Sequence, residues 1–249
     1  MQVIDEIKRS AVECESKLLD EYLLTLNEAM YDAFFDARGG AETYEDVPLS
    51  QIKSVTHRNS FRAVGMTWRN AVANLRGHNW QPNVLSYFTS SMRDLDFPPE
   101  NSAGELKMAR YGTRYHVLRG VHRVIAGKAW LLHNVGEKAA FSNCLVKPYS
   151  LNPHMRAFLE ENKSKSFMLY DTHLHSYDGI YVGAEVPHYL LFSCSFPREV
   201  YAISGDVRRV TRFSAINPRI WYVFLWCTGF TDKSRYQRVS ESWIKEALA

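Results

Sequence analysis

YHVLRGVHRVIAGKAWLLHNVG, residues 115–136, reads as a strand, a glycine turn and a helix. Tyr115 to Leu118 is a short aromatic and β-branched run, and Val121, Val124, Ile125, Ala129 and Leu132 then recur at helical spacing up to a stop at Gly136. A helix that starts this way presents backbone N–H groups at its first turn, where the helix dipole also favours an anion. Gly120 lets the backbone come close to a guest. His122 and Arg123 add side-chain donors, the arginine in a fork that matches phosphate oxygens. The implied guest is a phosphate group, and Arg123 is expected to serve that ligand more than the fold.

Working outward, the upstream segment alternates helical and extended signals. Leu18, Leu19, Tyr22, Leu23, Leu26, Met30 and Phe34 repeat at helical spacing and end at Gly39-Gly40, which predicts an N-terminal helical arm over residues 1–40. VPLSQI, residues 47–52, is strand-like. A second helix is expected from about residue 60 to 77, with Trp68, Val72 and Leu75 on its apolar stripe and Arg62, Arg69 and Arg76 together on another face. The polar segment DLDFPPENSAGELK, residues 94–107, reads as a surface excursion. Downstream, YLLFSCSF, EVYAIS, VRRVTRF and RIWYVFLW are short strand-like runs after GIYVGA, and an amphipathic helix is expected near 239–248.

GVHRVIA resembles the Gly-x-His/Arg-Arg box of ParB-type proteins and the glycine-rich His-Arg turn of sulfiredoxins. The flanks agree in order. VPLSQI resembles the opening strand of that superfamily, ANLRGHNWQPNVLSYF (residues 73–88) its second helix and following strand, and SNCLVKPYSLNPHMRAFLEE (residues 142–161) its final strand and helix. The resemblance covers about residues 41–160. It implies an α/β (α+β) fold with a ParB/sulfiredoxin-like domain at 41–160, the helical arm before it and a β-rich C-terminal part at 161–249. It further implies a pocket for a nucleoside triphosphate, ATP or CTP, with Mg2+ as a companion ion. Gly120, His122 and Arg123 would hold the phosphates, and Thr67, Asn70 and Asn74 would complete the pocket from the facing helix. Phosphotransfer, NTP hydrolysis and nuclease action are the activities such a relationship brings, together with the superfamily's frequent association with plasmids and phages. Two positions depart from the pattern. Val121 stands where sulfiredoxins carry their nucleophilic cysteine, which argues against repair of a sulfinic acid. Arg119 stands where kinase-like members carry an acid, and Glu45 and Asp46 are the nearest replacement carboxylates.

Composition bounds the alternatives. The chain has 249 residues, 46% of them apolar and 13% aromatic, which is enough for a real core. Its apolar runs reach only about eight residues, against the roughly 20 of a membrane helix, so no membrane association is expected. MQVIDEIKRS has no apolar core of a secretory signal, and Cys14, Cys144, Cys194 and Cys227 are widely spaced, so a cytoplasmic protein with reduced thiols is expected. The net charge is +3, but residues 198–249 hold nine Lys/Arg against five Asp/Glu. That excess makes nucleic acid a candidate partner, through Arg208, Arg209 and Arg212 with Arg62, Arg69 and Arg76. The competing reading is a non-catalytic DNA-binding protein whose turn grips backbone phosphate, and a host-directed interaction protein is a third class. DTHLHSYDG, residues 171–179, carries a His-x-His pair but is read as a polar turn, with no metal site expected.

Overall fold

The computed structural model describes residues 2–25, 28–56, 59–61, 63, 65–77, 79–98, 104–171, 189–194, 199–203, 206–209 and 236–249. The chain forms two compact units, one of residues 1–26 and 38–149 and one of residues 27–37 and 150–249. The expected arm is thus divided between the units, and the later boundary falls at 149/150.

The first unit opens with α1 (Val3–Glu13), whose Val3, Ile4, Ile7 and Ala11 are buried at helical spacing. A 3-10 turn at Lys17–Leu19 and the short strand β1 (Leu24–Thr25) follow, so one continuous helix from Leu18 to Phe34 does not form. Tertiary bonds override the helical pattern here. Leu23 donates its N–H to the Met66 carbonyl at 2.8 Å, and β1 lies parallel to β3 (Ile52–Val55). The last helical residues of the expected arm become α2 (Glu28–Phe34), in the second unit.

Six strands make the sheet of this unit in the order β1-β3-β5-β4-β6-β2, with β2 (Thr43–Pro48), β4 (Lys107–Tyr111), β5 (Arg114–Arg119) and β6 (Ala140–Tyr149). β3 is parallel to β1 and β5, and β4 to β6; the β4–β5 and β2–β6 pairs are antiparallel. VPLSQI is therefore two strand ends joined by a 3-10 turn at Leu49–Gln51. The helix expected over 60–77 reduces to α3 (Trp68–Ala71) between 3-10 turns at Asn59–Phe61 and Val72–Asn74. Gly65, at φ +76°, breaks the run, and Thr67 caps the new start by accepting the Asn70 N–H at 3.2 Å. QPNVL is not a strand either. It enters α4 (Asn83–Phe88), where Val84, Tyr87 and Phe88 are buried three and four residues apart. The 94–107 excursion is pinned at both described ends by buried Phe97 and Leu106.

α5 (Val121–Asn134) lies at the core of the unit, burying Val121, Val124, Ile125, Ala129 and Leu132 as the sequence pattern requires. Gly127 brings it close to its neighbours, since a Cβ there would stand 2.6 Å from the Phe141 ring.

In the second unit five antiparallel strands run in the order β10-β9-β8-β7-β11: β7 (Phe167–Asp171), β8 (Tyr189–Ser193), β9 (Val200–Ile203), β10 (Val207–Arg209) and β11 (Tyr236–Val239). They accompany α6 (Pro153–Glu161) and α7 (Glu241–Leu248), the latter close to the helix expected at 239–248. Phe158 meets Tyr201 edge-on at 4.8 Å, and Trp243 of α7 packs 5.1 Å from Phe34 of α2. The protein is of mixed α/β class. Among the described residues no helix is long and apolar enough to cross a membrane.

Candidate functional site

β5 delivers the chain to Gly120, whose φ of 89° and ψ of 29° are left-handed. A side chain is disfavoured twice over there, by the strained backbone angle and because a Cβ would sit 2.7 Å from Leu106 Cδ1 and push that methyl aside. α5 begins at the next residue, and its first turn contains no acid. N–H groups at such a start cannot donate to their own helix, which makes the turn receptive to an anion.

His122 is held from both sides. Its Nδ1 accepts the Arg76 backbone N–H at 3.3 Å, and its ring meets Phe61 edge-on at 5.0 Å. In the neutral imidazole the proton therefore resides on Nε2, so that atom is a donor. Asn74 contributes one step removed, donating from Nδ2 to the Ser60 carbonyl at 3.0 Å and so tethering the turn that carries Phe61. Thr67 and Asn70 are engaged with each other at the start of α3, through the cap described above.

Arg123 is more deeply set than a ligand-dedicated residue would be. It is only 6% exposed, donates from Nη1 to the Gly104 carbonyl at 2.7 Å, and lies 4.7 Å over the Phe97 ring. Phe97 in turn packs edge-on against Tyr87 and Trp80, at 5.0 and 5.4 Å. Burial pushes the Tyr87 hydroxyl above its ordinary pKa, while the nearby Arg123 pulls the other way. Arg123 thus also holds the fold, contrary to the sequence expectation, because the residues around Phe97 fold back over the first turn of α5. Arg119, missed as a contributor, is exposed at the last position of β5 and approaches the same loop, its Nη1 2.8 Å from where a Gly104 Cβ would stand. Arg76 is likewise exposed.

Glu45 and Asp46 do not join this group. Both are on β2, the edge strand of the sheet, and Glu45 meets β5 at Tyr115, five residues before Gly120. Glu45 accepts from Arg110 Nε at 3.0 Å. Its charge adds to the main effect, burial, in raising the Tyr115 hydroxyl to about 12. Asp46 accepts from the Asn143 N–H at 2.9 Å and the Ser142 hydroxyl at 2.8 Å, and these bonds lower its carboxyl pKa. They brace Asn143, which has a positive φ of 53° beside the register shift of β2. Both carboxylates therefore have structural work on β2.

The basic candidates separate in the same way. Arg69 caps the end of α1 and the following turn, donating to the Ala11, Cys14 and Ser16 carbonyls and to the Asp20 carboxylate, the last at 2.7 Å. Arg69 is on α3 and Arg76 lies past the end of the following 3-10 turn, so they form no common helical face, and Arg62 lies outside the described residues. Arg208 and Arg209 are on β10, with side chains outside the described set; Arg212, His173 and His175 are wholly outside it. Cys14 and Cys144 are buried free thiols, and Cys194 is exposed.

The opposite end of α5 has the opposite charge. A cleft of about 490 Å³ there is lined by Glu13, Glu15, Glu137 and His133 together with Cys14 and Leu132. Within the sheet, Ser54 and His116 share a buried hydrogen bond, and burial takes His116 down to about 3, so the ring is neutral. Compared with family models, with curated proteins and with solved structures, the chain matches none.

Proposed function

We propose that the turn at Gly120 binds the phosphates of a nucleotide, ATP or CTP with Mg2+, in a domain of ParB/sulfiredoxin type that works with nucleic acid. The carrying observation is the left-handed glycine at the head of an acid-free first turn, with the His122 ring oriented by the Arg76 N–H and Arg119 and Arg76 exposed nearby. The helix dipole and these cations act in the same direction on an anion. Binding is the core of this reading. Glu45 and Asp46 are committed to β2, so the proposal assigns them no part in phosphoryl transfer or hydrolysis.

A thermal-shift series with ATP, CTP, GTP and their diphosphates, each with Mg2+, tests it. A nucleotide present at about 100 times its dissociation constant should stabilise the protein by roughly 2.7 kcal/mol. No shift with any of them removes the nucleotide reading. The second reading, a grip on nucleic-acid backbone by the same turn, draws on the exposure of Arg76 and Arg119. It requires duplex binding whose affinity falls steeply with salt, and loss of that binding when both arginines become alanine.

A further inference from the structure

Lys128 interrupts the apolar stripe of α5, two turns beyond Gly120, and its side chain is fully buried. Its Nζ donates to the Ile52 carbonyl of β3 at 3.2 Å and stands 4.1 Å from the centre of the Trp68 ring of α3. An ammonium has three N–H bonds to satisfy, and this setting is poor in acceptors. The Trp68 indole N–H is itself buried without an acceptor among the described residues. Glu21 and Lys53, the charges that act on Lys128, pair with each other at 3.0 Å, and Asp20 pairs with Arg69 at 2.7 Å. α1, packed along α5, turns Ile4, Ile7 and Ala11 inward. A cation in such a place lacks the carboxylate that normally compensates a buried charge.

We propose that Lys128 is a proton-sensitive tie between α5, β3 and α3, held as a neutral amine in the folded first unit and loosening that packing when it takes up a proton. As an amine it keeps the bond to Ile52, gives up the cation–π attraction of Trp68, and sheds the larger desolvation cost of the charge. Burial, opposed by Glu21 and reinforced by Lys53, brings its pKa from an ordinary 10.5 down to about 7. The sign of the linkage follows. Between about pH 7 and 10.4 the unfolded chain carries the proton and the folded chain does not, so stability rises with pH. Below about 7 both states are protonated and the folded state bears the full cost.

The test is urea unfolding of the full chain from pH 6.5 to 9.5, comparing wild type with Lys128→Met at each pH so that every other titrating group cancels. The ratio of the two folding constants should climb in favour of wild type by up to about tenfold per pH unit above 7, and stay level below it. A ratio independent of pH overturns the proposal. Should Lys128→Met fail to fold, the wild type decides alone through NMR of its lysine Cε carbons. A Lys128 midpoint near 7 supports the proposal, and one at 10 or above overturns it.

Discussion

The two ends of α5 are built from the same helix and carry opposite chemistry. At its start lie Gly120, His122, Arg123 and the approaching Arg119, with no acid in the first turn; at its end lie Glu13, Glu15 and Glu137 around His133. Both arrangements oppose the helix dipole, which favours anions at the start and cations at the end. The helix tolerates this because its stability comes from the buried stripe Val121, Val124, Ile125, Ala129 and Leu132 rather than from its ends. The lesson lies in the difference of rigidity. The first turn is fixed by a left-handed glycine, a buried arginine and an oriented histidine, whereas Glu13, Glu15 and Glu137 at the far end are exposed. An anion arriving at the start would relieve an unfavourable charge pattern already held in place.

The sharpest break of the comparison is Gly120→Ala. The strain of a left-handed residue and the collision with Leu106 together should cost about 3 kcal/mol in urea unfolding. Nucleotide binding should vanish with the turn. If alanine proved neutral there, the start of α5 would be no more constrained than its end.

Arg123→Ala comes next, at about 2 kcal/mol, for the lost bond to Gly104 and the lost contact with Phe97. Arg123→Lys should recover only part of this, since an ammonium cannot lie flat on the ring while reaching the carbonyl. Unfolding midpoints of the two variants measure the gap.

His122 sharpens the electrostatic half of the comparison. A glutamine amide can reproduce the Nε2 donor and an asparagine amide the Nδ1 acceptor, so His122→Gln should retain more nucleotide affinity than His122→Asn. The expected loss for asparagine is about tenfold, near 1.4 kcal/mol, read by isothermal titration. Equal losses would mean that the Nε2 donor is not used.

The smallest effect belongs to the far end. Replacing Glu13 and Glu15 with glutamine should change stability by less than about 0.5 kcal/mol and leave nucleotide affinity unaltered. Glu13 is an exposed residue that lies 3.8 Å from His133 Nε2. A loss of affinity would reveal coupling along the helix that the contacts give no reason to expect.

Local pattern was legible where one element's own residues dictate it. Residues 115–136 read correctly as strand, glycine and helix, and the final helix fell within two residues of its start, because their apolar spacing is regular and their stops are chemical. Trp68, Val72 and Leu75 have equally regular spacing, yet Gly65 and the Thr67 cap cut that helix to four residues. Lys128 went unread in the sequence, because nothing local says whether a lysine amine beside a core stripe reaches water along its four-carbon stem or is sealed in.

Composition and periodicity thus determined by themselves that this chain builds a mixed α/β structure, with a glycine turn leading into its central helix. Tertiary structure alone decided which of the polar side chains are engaged by the fold. Arg69, Arg123, Glu45 and Asp46 carry the same chemistry in sequence as residues that bind ligands, and each is engaged by carbonyls, amides or counter-charges from segments far along the chain. A side chain's free donors are what remains after distant backbone groups have taken their share, and that remainder exists only once the chain has folded.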